Sequence, residues 1–191
     1  MTTSFSDKVY IITGSASGMG LATTKLLLQR GAKVGLCDIN KSALDQYVAD
    51  LPEDQKSRVF AQSMSVTDED SVARFLKQTK GHFGRLDGIA NFAGTGGHNL
   101  GKQLITDTDQ KEYNFIMDLN VRGLYHILKE GLQPGLLEEP GSIVHISSMY
   151  AERGFQNGAI FTASKHAANG MVKSAAMEVA QRKIRINTVM P

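Results

Sequence analysis

Lys165 follows Phe161 by four residues in the stretch Ile160 to Ala167, which reads IFTASKHA. On a helix the two share one face, a single turn apart. A lysine on such a face usually seeks an acceptor, and a phenyl ring offers none. A second constellation lies near the N-terminus, where Thr13-Gly14-Ser15-Ala16-Ser17-Gly18-Met19-Gly20 follows one apolar run and opens a helical pattern. A glycine-rich strand-to-helix turn lets backbone approach a pyrophosphate closely, and the helix N-terminus supplies N–H groups and a favourable dipole. Asp38 ends the next apolar run. A carboxylate there accepts hydrogen bonds from both hydroxyls of an adenosine ribose and repels a 2′-phosphate. No Lys or Arg lies between Thr13 and Gly20, Ile39 follows the aspartate, and Lys41 is the only basic residue nearby. These charges favour NAD(H) over NADP(H) without excluding the latter. The competing readings are a plain tight turn for the glycines and, for Asp38, a cap on the helix near Ser42.

The elements that must position these groups alternate regularly. Short apolar runs predict strands at 9–13, 33–38, 58–64, 86–90, 141–147 and 184–190. Helical patterns fill 21–30, with Gly31 as its C-cap, then 42–51, 68–83, 112–137 and 158–182, while 95–109 is polar, contains glycine and reads as a loop. Strands alternating with helices imply right-handed parallel βαβ units. The expected fold is a Rossmann-type, doubly wound α/β sheet in three layers, one domain over residues 1–191. Ligands in such folds bind at the carboxyl ends of the strands, where the strand order reverses.

Composition narrows the function classes. The chain has 191 residues, 41% hydrophobic and 21% charged, with a formal net charge of +2. Its basic residues are scattered, as are its five tyrosines and eight phenylalanines, so nothing points to nucleic acid. No apolar run is long enough to span a bilayer, Met1 to Lys8 is polar, and the lone Cys37 can form no internal disulfide. A cytoplasmic protein with no membrane partner is expected, and no metal site is assigned.

From the TGxxxGxG spacing onward the chain resembles the short-chain dehydrogenase/reductase family over essentially its whole length. Asn91-Phe92-Ala93-Gly94 is similar to the family's NNAG, with Phe92 replacing the second Asn. Asn120-Val121-Arg122-Gly123 resembles its NxxG, Ser147-Ser148 its serine motif, and Lys165 the lysine of YxxxK. The resemblance implies hydride transfer between nicotinamide and a secondary alcohol or ketone. It implies a substrate contact for Ser148, with Tyr150 beside the substrate, a ribose contact for Lys165 and a water-organising role for Asn120. Dinucleotide contacts are implied for Gly14, Ser17, Gly18, Met19, Gly20, Asp38, Ile39, Ser65, Val66, Asn91, Ala93, Gly94 and Lys165. A homodimer or homotetramer through the two long helices, 112–137 and 158–182, is implied as well.

The departures matter as much. Phe161 stands where the family has its proton-transferring tyrosine, and a phenyl ring cannot move a proton. Ser65-Val66 replaces the usual Asp-Val. The chain ends at Pro191, before the family's substrate loop and seventh strand, so a truncated chain is expected. Activity is therefore impaired as written. The rival reading is a silent dinucleotide-binding or scaffold protein on the same fold, and Tyr150 or His98 is the candidate for a relocated proton donor.

Overall fold

In the computed structural model, which describes residues 5–191, six parallel strands form one sheet in the order β3-β2-β1-β4-β5-β6. They are β1 (Val9–Thr13), β2 (Lys33–Asp38), β3 (Val59–Ser63), β4 (Gly88–Asn91), β5 (Gly141–Ile146) and β6 (Ile184–Val189). The helices are α1 (Gly18–Gln29), α2 (Lys41–Ala49), α3 (Glu53–Lys56), α4 (Glu69–Phe83), α5 (Gln110–Met117), α6 (Gly123–Gly131) and α7 (Ala159–Glu178). Successive side chains of a strand point to opposite faces. In β1, Ile11 joins the core with Phe75, Leu76, Ile127 and Val172, whereas Ile12 joins the core with Leu28, Leu36 and Leu44. Burial on both faces is why β1 and β2 read as continuous apolar runs, whereas β6, at the sheet edge, alternates buried and exposed residues.

The order reverses between β1 and β4, which run side by side from Tyr10↔Gly88 to Thr13↔Asn91. This switch point sets Thr13, Asn91 and the loops after them at one carboxyl edge.

Two predicted helices differ from expectation. The 112–137 pattern divides into α5, a π-helical turn at Asp118–Arg122 and α6, which stops at Gly131. Pro134 disfavours helical backbone at the residue before it, and Gly135 adopts φ +74, so the chain turns away. Leu136 and Leu137 stay buried because the loop returns to the sheet, with Glu138 N donating to Leu86 O at 2.8 Å. The 158–182 pattern is α-helical only to Glu178; Ala180–Arg182 is a 3₁₀ turn, closed by Lys183 in the left-handed region at φ +55. The loop at 95–109 holds a 3₁₀ turn, Ile105–Asp107, and the short α3 was not predicted.

Candidate active site

The glycine turn is shaped by backbone packing. Gly14 and Gly18 have φ +63 and +50, and a Cβ on Gly20 would lie 2.1 Å from Gly14 O. Only glycine permits that approach. The turn is tied to β2: Ser15 N donates to Cys37 O at 3.2 Å and Ala16 N to Asp38 Oδ2 at 2.9 Å. Asp38 Oδ1 accepts from Asn40 N at 2.9 Å. The cap of α2 is Asn40, whose side chain accepts from Ala43 N, so Asp38 is not that cap.

The start of α1 is left open. α2, α4 and α5 are capped by the side chains of Asn40, Asp68 and Asp109. Ser17, at the same position of α1, makes no such bond, and the first turn holds no acid. Its leading N–H groups therefore face the cleft with the positive end of the helix dipole. That arrangement suits a diphosphate, and the residues present fit a dinucleotide.

A cleft of about 270 Å³ opens beside this turn. Of the expected residues, Gly14, Ser17, Gly18, Met19, Gly20, Asp38, Ile39, Val66, Ala93 and Gly94 line it. Ser65, Asn91 and Lys165 do not. Ser65 Oγ instead bonds Thr67 Oγ1 at 2.8 Å and accepts from Thr67 N. Asn91 is a buried strut. Thr13 Oγ1 donates to Asn91 Oδ1 at 2.6 Å and accepts from Ala93 N at 3.0 Å, while Asn91 Nδ2 donates to His145 Nδ1 at 3.1 Å. This chain joins β1, β4 and β5 beneath the cleft. Sequence reasoning missed Cys37, Met64, Phe92 and Leu119 as lining residues. Each adjoins a residue that was singled out, and that adjacency was the available signal.

His145 is almost wholly buried, and its Nε2 has no hydrogen-bond partner among the described residues. Because Nδ1 accepts from Asn91, the ring proton sits on Nε2. Burial first, and the charge of Lys165 second, hold its pKa down to about 4.

Asn120 lies in the π-helical turn. Its Oδ1 accepts from Thr95 N at 2.8 Å, and its Nδ2 donates to Thr95 O at 2.8 Å and to Ser164 Oγ at 2.9 Å. Both amide hydrogens are engaged, so the side chain's donors are not free to organise a water. It clamps the loop after β4 to α7 instead.

Lys165, on α7, is 6% exposed. Its Nζ donates to Ile146 O at 3.3 Å and stands 5.7 Å from the centre of the Phe161 ring. Burial pushes its pKa down to about 8. A Cβ on Gly94 would lie 3.2 Å from Asn120 Oδ1 and 3.6 Å from Lys165 Nζ, so loop, π turn and lysine converge there. Ser148 Oγ accepts from Tyr150 N at 3.3 Å and caps a 3₁₀ turn, Met149–Ala151. The Tyr150 ring stacks on Phe155 at 4.4 Å and meets Phe161 edge-on at 6.4 Å. His98 stays apart: its Nδ1 pairs with Glu112 Oε2 at 2.6 Å on the outside of α5. The result is an apolar aromatic wall beside a desolvated amine, next to a cleft fitted for a dinucleotide.

A family model described as short chain dehydrogenase matches residues 8–191. The chain is 35% identical over 187 residues to the short-chain dehydrogenase/reductase aba4 of Botryotinia fuckeliana (strain B05.10), covering 98% of this chain and 72% of that protein. It is 33% identical to levodione reductase of Leifsonia aquatica, covering 100% of this chain and 70% of that one. Among solved structures, a Tyr-to-Phe variant of ElxO with NADPH bound superimposes with a TM-score of 0.86 at 29% identity, over 96% of this chain and 73% of that one. Levodione reductase superimposes at 0.87, over 98% and 72%.

Proposed function

This chain belongs to the short-chain dehydrogenase/reductase family of oxidoreductases, and on that premise we propose that it binds NAD(H) for hydride exchange with a secondary alcohol or ketone, its proton-transfer step impaired by Phe161. The observation that carries the reading is the uncapped N-terminus of α1 beside Asp38 in one cleft.

When bound, the nicotinamide ring supplies the two-electron hydride carrier. The chain's own residues do the rest. The first N–H groups of α1 receive the diphosphate. The Asp38 carboxylate, already aimed by Ala16 N and Asn40 N, accepts the ribose hydroxyls and disfavours a 2′-phosphate. Lys41 pairs with Asp45 along α2, so it is drawn away from that position. Lys165 holds the nicotinamide ribose, and the Ser148 hydroxyl orients the substrate oxygen. Tyr150, Phe155 and Phe161 favour an apolar substrate. No oxygen at position 161 takes up or delivers the substrate proton.

That last observation also favours a second reading, a protein that binds the dinucleotide without turnover. Two copies pairing through α5–α6 and α7, which expose Tyr113, Tyr125 and Met177, belong to the same proposal and are tested by light scattering. A reducing cytoplasm suits the free, buried thiol of Cys37.

Calorimetric titration with NADH and NADPH tests the cofactor assignment directly. Tighter binding of NADH is expected. Failure of both to bind removes both readings, and preference for NADPH removes the role given to Asp38.

A further inference from the structure

Phenylalanine at position 161 changes what Lys165 can do, apart from what it removes. Among the described residues no carboxylate forms an ion pair with Lys165, and burial is the single cause acting on its acidity. Its hydrogen bond to Ile146 O, at 3.3 Å, is at the long end of the useful range. The Phe161 ring presents a face but no acceptor. The neighbouring His145 is held neutral, and neither form of an imidazole could supply a negative partner for the amine. With its pKa near 8, about a tenth of Lys165 is free amine at pH 7, against less than about 0.1% for an ordinary lysine. Desolvated lysines of this kind are the ones that act as nucleophiles.

The cleft also comes near the amine. Gly94 is exposed and lines the cleft, and a methyl group there would sit only 3.6 Å from Nζ. Lys165 itself is buried and does not line the cleft, and Gly94, without a side chain, is the cleft residue that comes near its nitrogen.

We propose that Lys165 captures small uncharged aldehydes or ketones as imines, a reaction that needs neither a dinucleotide nor hydride transfer. The Nζ lone pair forms a C–N bond to the carbonyl carbon as the C=O π pair moves onto oxygen. One nitrogen-bound proton passes to that oxygen, giving a carbinolamine. Loss of the hydroxyl with a second nitrogen-bound proton, as water, leaves the C=N bond. Amine and carbonyl give imine and water, with nothing oxidised or reduced. An uncharged partner is specified because the site is desolvated and walled by Phe161, with Tyr150 behind it.

The test treats the chain with benzaldehyde and sodium cyanoborohydride at pH 7.5 and maps N-benzyl lysine by peptide mass spectrometry. Lys165 is expected to be modified at least about tenfold faster than the exposed Lys25 and Lys173, the direction set by its larger free-amine fraction. Phe161→Tyr is expected to slow modification of Lys165 about tenfold and leave Lys25 and Lys173 unchanged, because a phenol beside the amine favours the ammonium. Modification of Lys165 no faster than of the exposed lysines overturns the proposal. So does an unchanged rate at Lys165 in the Phe161→Tyr variant. Both readouts are independent of NADH titration, so a failure here leaves the dinucleotide reading standing, and the reverse.

Discussion

The Lys165 ammonium stands 5.7 Å from the centre of the Phe161 ring, one turn along the same face of α7. A phenol in that position would have both a proton to move and a cation to stabilise its phenolate. Phe161→Tyr adds one oxygen to a ring that is already packed, edge-on to Tyr150 at 6.4 Å. The variant is expected to raise turnover by roughly 10²–10⁴, the usual contribution of a general acid/base. The check is NADH absorbance across a panel of ketones and secondary alcohols. No gain would remove the enzyme reading and leave the binding one.

The central strands were legible because parallel, doubly covered strands leave unbroken apolar runs, as Val9 to Thr13 does, while β6 at the edge shows the two-residue alternation of Ile184-Arg185-Ile186-Asn187. The glycine turn and Asp38 were legible because their geometry is local. The break at Asp118–Arg122 was not, because Met117, Val121, Leu124 and Leu128 keep a helix-like spacing across the π turn. The stop at Gly131 was written in Pro134-Gly135, but the apolar Leu136 and Leu137 disguised it. The strut role of Asn91 depends on which strand lies beside β4, since its partner His145 is its register neighbour on β5. Sequence pattern carries no information on that pairing. Asn120 was found as a residue, but its partners Thr95 and Ser164 come from a loop and a distant helix.

Asp38 is expected to set the choice of dinucleotide. In Asp38→Ala the ribose hydroxyls lose a charged acceptor, a change of about 1.5–3 kcal/mol, and the repulsion of a 2′-phosphate disappears. NADH affinity should fall at least about tenfold by that figure, while NADPH affinity stays level or rises. Asp38→Asn separates charge from support, since its amide oxygen can still accept from Ala16 N or Asn40 N. Calorimetry on both variants reads the outcome. An unchanged NADH to NADPH ratio in both would show that Asp38 only braces the turn.

Gly20 and Gly170 make a matched pair. A Cβ on Gly20 meets backbone, Gly14 O at 2.1 Å, whereas one on Gly170 meets nothing within 4 Å. Gly20→Ala must therefore displace the turn, and loss of NADH binding with a lowered melting temperature is expected. Gly170→Ala, inside α7 and exposed, should stabilise by about 0.5–1 kcal/mol and leave NADH binding intact. Equal effects from the two substitutions would contradict the close approach at the turn.

His145 gives the fold an acid-sensitive point whose sign is fixed. Its pKa is about 4 in the folded chain against an ordinary 6.5, because the ring is buried and Lys165 is cationic. Between those values the unfolded chain binds the extra proton and the folded chain does not. Stability is therefore level above about pH 6.5 and falls as the pH drops toward 4, by at most roughly 3 kcal/mol. Protonation would also place a donor on Nδ1 against the Asn91 amide, opposing the bond that holds Thr13 and Ala93. His145→Asn keeps an acceptor for Asn91 and cannot take up a proton in this range. The difference in urea-unfolding free energy between wild type and His145→Asn, measured from pH 4.5 to 8, cancels most of the carboxylate titrations they share. It should slope against the wild type below pH 6.5 and be flat above it. Parallel profiles down to pH 4.5 would mean that His145 is not held neutral by the fold.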